Sequence, residues 1–191
     1  VLITHKLREI RELTDVVTKA QVSHALCDVR LAEELDAARP DCPTLATVLL
    51  FGSGQPEGLD ARAAAKPPTF ANVDTAADDT ALIAFTSGTT GKPKGTMHFH
   101  RDVMAACDCW PRSMLRASPD DLFTGSPPLA FTFGLGGLLL FPLSIGAGTL
   151  LVERPSPEML LPAIAAHRAT VLFTAPTSYR AMAAEVKNHD L

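Results

Sequence analysis

The chain has little that points to nucleic acid: Lys and Arg number 17 against 21 Asp and Glu, leaving a net charge of −4 with no arginine cluster and no lysine run. No basic surface is therefore available to displace counterions from a phosphodiester backbone, and no nucleic-acid partner is expected. Cysteine is scarce as well. Cys27, Cys42, Cys107 and Cys109 are irregularly spaced, without the paired spacing of a zinc site, and Cys107-Asp108-Cys109 lacks the two-residue gap of a redox motif. They read as reduced thiols of a cytoplasmic protein, and no cluster anywhere has metal-ligand spacing. No signal peptide is expected either, because Val1-Leu2-Ile3 passes at once into Lys6, Arg8, Glu9, Arg11 and Glu12. One stretch lacks charge altogether: Leu122 to Val152 is long enough to span a bilayer but is interrupted by Pro127, Pro128, Pro142 and six glycines. A helix through those would break repeatedly, so strand, loop, short helix and strand is the expected parse, with no membrane span.

What is present is a globular composition, 47% hydrophobic and 20% charged over 191 residues, enough to bury a sizeable core. Leu7, Ile10, Leu13, Val16 and Val17 recur at helical spacing between Thr4 and Ala20. Val22 to Cys27 reads as a strand, Asp28 as the cap of a helix bearing Leu31 and Leu35, and Thr47 to Phe51 as a second strand, a parallel crossover. Gly52 to Asp79 has no sustained period and is expected to wrap over the surface. Further on, Thr96 to His100 reads as strand and Arg101 to Trp110 as a helix that Pro111 should end or kink. Strands follow at Leu122 to Ser126, Gly148 to Val152 and Thr170 to Thr174, and a short helix at Phe133 to Leu140. Ser156 and Pro157 open a helix carrying Leu160, Leu161 and Ile164, and Pro176 opens another through Glu185. Alternation of this kind means α/β layering.

The densest chemistry lies in Thr86-Ser87-Gly88-Thr89-Thr90-Gly91-Lys92-Pro93-Lys94-Gly95. It follows Ala81-Leu82-Ile83-Ala84-Phe85, which reads as a buried parallel strand bounded by Asp78 and Asp79. A strand opening into such a turn suits a polyphosphate. Glycines let backbone N–H groups form a concave nest, hydroxyls add neutral donors, and lysine supplies charge, so ATP is the expected occupant. A Walker loop is excluded, since only two residues separate Gly88 from Gly91 and Pro93 follows Gly91-Lys92.

Residue for residue, this decapeptide resembles the phosphate loop of the adenylate-forming superfamily, which contains acyl- and aryl-CoA ligases, nonribosomal-peptide adenylation domains and firefly luciferase. The resemblance implies that Thr86, Ser87, Gly88, Thr89, Thr90, Gly91, Lys94 and Gly95 bind the β and γ phosphates of ATP. Lys94, between stiff Pro93 and permissive Gly95, is the expected catalytic charge on the leaving pyrophosphate, and Lys92 reads as its solvated neighbour. A second run, Pro127-Pro128-Leu129-Ala130-Phe131-Thr132-Phe133-Gly134-Leu135-Gly136-Gly137, is similar to the family's acyl-pocket motif. By that resemblance Phe131, Phe133 and Gly134 line the acyl pocket, with Phe131 where luciferase-like members carry histidine. An apolar aromatic wall of this kind favours a flat aryl acid. His98 and His100, expected to share a strand face, read as structural histidines, because an ionised carboxylate needs no general base. Tyr179, in a Pro-Thr-x-Tyr turn, reads as packing.

The resemblance implies an α/β fold: an incomplete N-terminal domain with two mostly parallel sheet lobes flanked by helices. Residues 1–112 would form the first lobe and 113–191 the start of the second. The Tyr-Gly-x-Thr-Glu and Thr-Gly-Asp segments, the hinge and the small C-terminal domain with its catalytic lysine are not in the sequence, so this stretch alone is expected to be inactive and, with open sheet edges, to self-associate. Lys19 to Asp28 and the Phe-Thr-Phe-Gly-Leu-Gly-Gly run look most like benzoate and 2-aminobenzoate CoA ligases. The implied partners are a small aromatic carboxylic acid, with ATP, Mg2+ and CoA as co-substrates and no tightly bound cofactor. Two other readings stand beside this one. An adenylation domain that loads a carrier protein would normally place an acidic residue in the pocket motif, and Ala130 to Gly134 has none. A catalytically silent nucleotide-binding module would bind ATP without turnover.

Overall fold

The computed structural model describes residues 10–86 and 93–190. By compactness the chain divides into two units, Val1–Phe99 and His100–Leu191.

In the first unit, helix α1 (Ile10–Lys19) leads to strand β1 (His24–Asp28), helix α2 (Ala32–Ala38) and strand β2 (Thr47–Phe51). The two strands pair in parallel with His24 opposite Thr47 and Asp28 opposite Phe51, as the crossover pattern anticipates. Leu13 and Val17 of α1 and Leu35 and Ala38 of α2 pack with Ala25, Cys27, Cys42 and Leu45 in one buried cluster. Cys27 and Cys42 act there as small apolar side chains, and burial pushes the Cys27 thiol up. Asp28 caps as expected, although the turn it starts is a 3-10 turn, Val29–Leu31, that precedes α2. Its carboxylate accepts from the Arg30 N–H at 2.9 Å, from Arg30 Nε at 3.0 Å and from Arg30 Nη2 at 2.7 Å.

Those bonds, the side-chain ones first, lower the Asp28 pKa from 3.8 to about 2. A carboxylate whose folded pKa lies below its unfolded one adds stability above the unfolded value and loses it as the pH falls through the folded one. Acid unfolding followed by circular dichroism should therefore show Asp28→Asn losing less stability than the parent between about pH 4 and about pH 2. Identical acid limbs would mean that Asp28 is not a stabilising carboxylate.

Helix α3 (Leu59–Ala64) interrupts the otherwise irregular and largely exposed stretch before strand β3 (Thr80–Thr86). Here the structure departs from the sequence reading. Strand β3 pairs with β4 (Lys94–Phe99) antiparallel, not parallel, and its side chains are exposed or half-buried rather than buried. Chain length supplies the reason. A parallel partner needs a crossover of a dozen or more residues, whereas β3 and β4 are joined by residues 87–93 alone, which permits only a hairpin.

The second unit opens with α4 (His100–Cys107), so the helix after the β3–β4 hairpin belongs to this unit and His98 and His100 sit on different elements instead of sharing a strand face. Pro111 does not end the helical path. The chain continues as a π turn from Asp108 to Leu115 and stops at Arg116, which has φ 55° in the left-handed region. Proline has no N–H to donate and its ring crowds the carbonyl of the preceding turn, and a wider winding relieves both. The same device recurs in the charge-free stretch: α5 (Thr132–Leu135), a π turn at Gly136–Leu140, then α6 (Phe141–Ile145) carrying Pro142. The helical path there runs further than the expected Phe133 to Leu140. Among the described residues no helix is long and apolar enough to cross a membrane.

A parallel sheet of three strands organises this unit, in the order β6 (Gly148–Leu150), β5 (Leu122–Gly125), β7 (Val171–Phe173). Successive side chains point to opposite faces. Phe123 and Phe173 meet Leu138 and Phe141 on one face, while Leu172 meets Leu160 and Leu161 of α7 (Pro157–His167) and Met182 of α8 (Pro176–Glu185) on the other. Cover on both faces is what a parallel sheet requires. At the sheet's amino end Asp121 is held below the usual carboxylate range by the Ser118 N–H and the Thr170 hydroxyl, which also accepts from the Leu122 N–H.

Candidate functional site

The expected site residues fall on two units. Thr86 closes β3 and Lys94 opens β4, and the two are opposite each other as the last pair of the hairpin ladder. Both are exposed. Gly95 faces Phe85 across the ladder, where a Cβ would approach Ile83 Cγ2 to 2.9 Å and the Phe85 ring to 3.2 Å. A glycine there lets the Phe85 ring lie against the backbone beside the loop. Ser87, Gly88, Thr89, Thr90, Gly91 and Lys92 lie outside the described residues.

From outside the hairpin, Lys19 at the end of α1 sends its Nζ to the carbonyl of buried Pro93 at 2.8 Å. Sequence reasoning did not find this contact, because a surface lysine ending an amphipathic helix ordinarily completes the helix dipole and faces water.

In the second unit, the acyl-pocket motif starts where β5 ends. Connections leave β5 toward β6 on one side while β7 lies on the other, so the carboxyl ends of β5 and β7 flank a reversal of strand order, the place where open α/β sheets form ligand crevices. Ser126 and Thr174, each one residue past its strand, join hydroxyls there at 2.6 Å. Thr124 donates to the Leu150 carbonyl at 2.9 Å, so the buried hydroxyls of this strand end have partners.

Gly134 is buried against the turn before it. A Cβ would lie 2.1 Å from the Pro128 carbonyl oxygen and 2.6 Å from that of Pro127, so no larger residue fits without lifting the helix off the strand end. The flanking aromatics are half-exposed: Phe131 by 50% and Phe133 by 51%. Phe133 presents its inner side to Phe173, centroids 5.7 Å apart at 62°, an edge-on contact. Phe173 is the hub. Trp110 lies 5.2 Å from it, Phe123 6.2 Å and Phe141 6.3 Å, and Trp110 stacks on Phe141 at 5.7 Å. Gly137 makes room, since a Cβ there would meet the Phe173 ring at 2.6 Å. Trp110, Phe141 and Phe173 were not expected at the site. The one sequence signal was the parallel between Gly125-Ser126-Pro127 and Phe173-Thr174-Ala175-Pro176, two strand ends that each pass through a hydroxyl to a proline.

Tyr179, expected to serve packing, does something more definite. Its hydroxyl donates to the Leu172 carbonyl at 2.7 Å, tying α8 to β7, while the residue stays 46% exposed. Among the described residues no group of three or more His, Cys, Asp or Glu is arranged to hold a metal ion.

The described residues are thus α/β, with the strands of a hairpin on either side of residues 87–92, a three-stranded parallel sheet and an aromatic-glycine step at that sheet's carboxyl edge. The AMP-binding enzyme family matches residues 3–191, and the chain belongs to it. It is similar to the benzoate–CoA ligase of Thauera aromatica, 33% identical over 143 residues that make up 74% of this chain and 27% of that protein. It is also similar to the anthranilate–CoA ligase of Pseudomonas aeruginosa, 36% identical over 102 residues, 53% of this chain and 20% of that one. Among solved structures, the anthranilate CoA ligase AuaEII in complex with anthranoyl-AMP superposes with a TM-score of 0.85 at 25% identity, over 98% of this chain and 37% of that one. The chain thus spans well under half the length of these relatives. The expected α/β fold, an N-terminal domain with mostly parallel sheets flanked by helices, is observed, with the β3–β4 hairpin as its antiparallel exception.

Proposed function

We propose that the complete protein is an ATP-dependent aryl-CoA ligase of the benzoate or 2-aminobenzoate type. A carboxylate attacks the α-phosphate of ATP in line, giving an acyl adenylate and pyrophosphate, and CoA then takes the acyl group as a thioester. The observation that carries this reading is the hairpin that strings residues 87–92 between exposed Thr86 and Lys94, in a chain of the AMP-binding family. Lys94 neutralises charge on the departing pyrophosphate, and the hydroxyls and backbone N–H groups of residues 86–91 hold the β and γ phosphates, a contribution of positioning and electrostatics. ATP enters with Mg2+, and CoA is the second co-substrate.

Phe131, Phe133 and Gly134 form the acyl wall. The aromatic acids named for its relatives support that reading, as does the half-exposed Phe133 ring backed by Phe173. Pyrophosphate exchange with benzoate, 2-aminobenzoate and acetate tests it. Exchange should depend on an aryl acid, and an enzyme that binds ATP yet exchanges with no carboxylate would instead be the silent module. Phe133→Ala should weaken use of the aryl acid by about 3- to 10-fold, the worth of one aromatic contact, while leaving the KM for ATP in place. A loss common to both substrates would remove Phe133 from the acyl wall.

Exposed Phe70, Met97, Met114 and Leu143 support self-association of residues 1–191 taken alone. Sedimentation velocity should show species larger than the 20.3 kDa monomer, and a clean monomer at micromolar concentration would refute this.

A further inference from the structure

The Lys19 contact joins two parts of the first unit that the sequence separates by 74 positions. At its origin, α1 is fixed by Val17 and Leu13, exposed by 0% and 6%, in the cluster with β1 and α2. Its target, the Pro93 carbonyl, is the last backbone acceptor before Lys94. An ammonium donating to a carbonyl is a charge-assisted hydrogen bond, shorter and stronger than a neutral one, and 2.8 Å lies in that range.

The peptide plane transmits the constraint. The Pro93–Lys94 bond is trans, as are all described peptides, so its carbonyl and the Lys94 N–H point in opposite directions. Holding the carbonyl toward Lys19 fixes the plane from which the Lys94 side chain departs. Among the described residues the hairpin ladder has Thr86–Lys94 as its last pair and none that includes Pro93, so the Lys19 bond is what holds the Pro93 carbonyl. Pro93 has no N–H of its own, so its carbonyl is the one backbone hydrogen-bonding group it offers.

We propose that Lys19 is a positioning residue for the nucleotide phosphates: it ties the exit of the phosphate loop to α1 so that Lys94 is held ready for the polyphosphate of ATP. This rests on the assignment of the loop to ATP made above. Its cost on removal falls on ATP and not on the acyl acid, because Lys19 is connected to the loop and lies in a different unit from Phe133.

The test is steady-state pyrophosphate exchange by the complete enzyme with Lys19→Met, which keeps the aliphatic stem and removes the donor. The KM for ATP should rise about tenfold, the low end for a hydrogen bond from a charged group, with the KM for the aryl acid unchanged. Lys19→Arg, which restores a cationic donor, should recover to within about threefold of the parent. An unchanged KM for ATP in Lys19→Met overturns the proposal. Equal rises for both substrates together with a lower melting temperature, in both Lys19 variants, also overturn it, since that is the signature of a structural lysine. Lys94→Ala run in parallel separates the two levels. If Lys94→Ala spares adenylation, the ATP assignment of the loop fails and the proposal with it; if Lys94→Ala is impaired and Lys19→Met is not, only the role of Lys19 fails.

Discussion

Lys94→Ala in the complete enzyme should slow acyl-adenylate formation by about 10²- to 10³-fold, the range for removing one preorganised donor to charge that develops in the transition state. The ammonium stands at the exposed start of β4, opposite Thr86, where residues 87–92 return to the sheet. The β and γ phosphates are already charged in bound ATP and gain charge as the bond to the α-phosphate breaks, so the largest loss should appear in the rate of adenylation, with a smaller loss in ATP affinity. Thioester formation from supplied acyl adenylate has no pyrophosphate to stabilise and should keep most of its rate. Rapid-quench measurement of the two half-reactions decides it, and equal losses in both would count against any role of Lys94 at the pyrophosphate.

Phe173→Ala should destabilise the second unit by about 3–5 kcal/mol, the usual cost of emptying a buried phenylalanine site. The ring is 7% exposed and borders Trp110, Phe123, Phe133 and Phe141, so its loss leaves a void that these four aromatic neighbours close only by giving up their present packing. The single tryptophan of these 191 residues reports the event directly: Trp110 emission should shift to the red as its packing partner disappears. Urea denaturation followed by that emission gives both quantities. A change below about 1 kcal/mol with unshifted emission would mean that Phe173 is not the centre of the cluster.

Much of this was legible in the chain. The end of the molecule is an example: Pro176 to Glu185 was marked by a proline at its start, and α8 has those bounds. The parallel pairing of β1 with β2 followed from strand, helix and strand in succession. The family followed from ten consecutive residues, because a phosphate nest is built from backbone geometry and short side chains adjacent in sequence. Of the candidate site, Thr86, Lys94, Phe131, Phe133 and Gly134 could be named from motifs; what stands behind them could not.

The misreadings share a cause. An apolar segment such as Ala81 to Phe85 looks the same whether its partner runs parallel or antiparallel, and hydropathy pattern carries no strand direction. Pro111 and Pro142 signal an interrupted ladder, yet whether the helix stops or widens into a π turn depends on what packs against it, here the cluster around Phe141 and Phe173. By itself the sequence determined the α/β class, most elements and the family, since each is encoded in residues within a few positions of one another. Only the tertiary structure decided that Phe173 backs Phe133, that Ser126 meets Thr174 and that Lys19 reaches Pro93. Those contacts join residues 40, 48 and 74 positions apart, and which distant side chains meet is settled by packing the whole unit, not by any local preference of the chain.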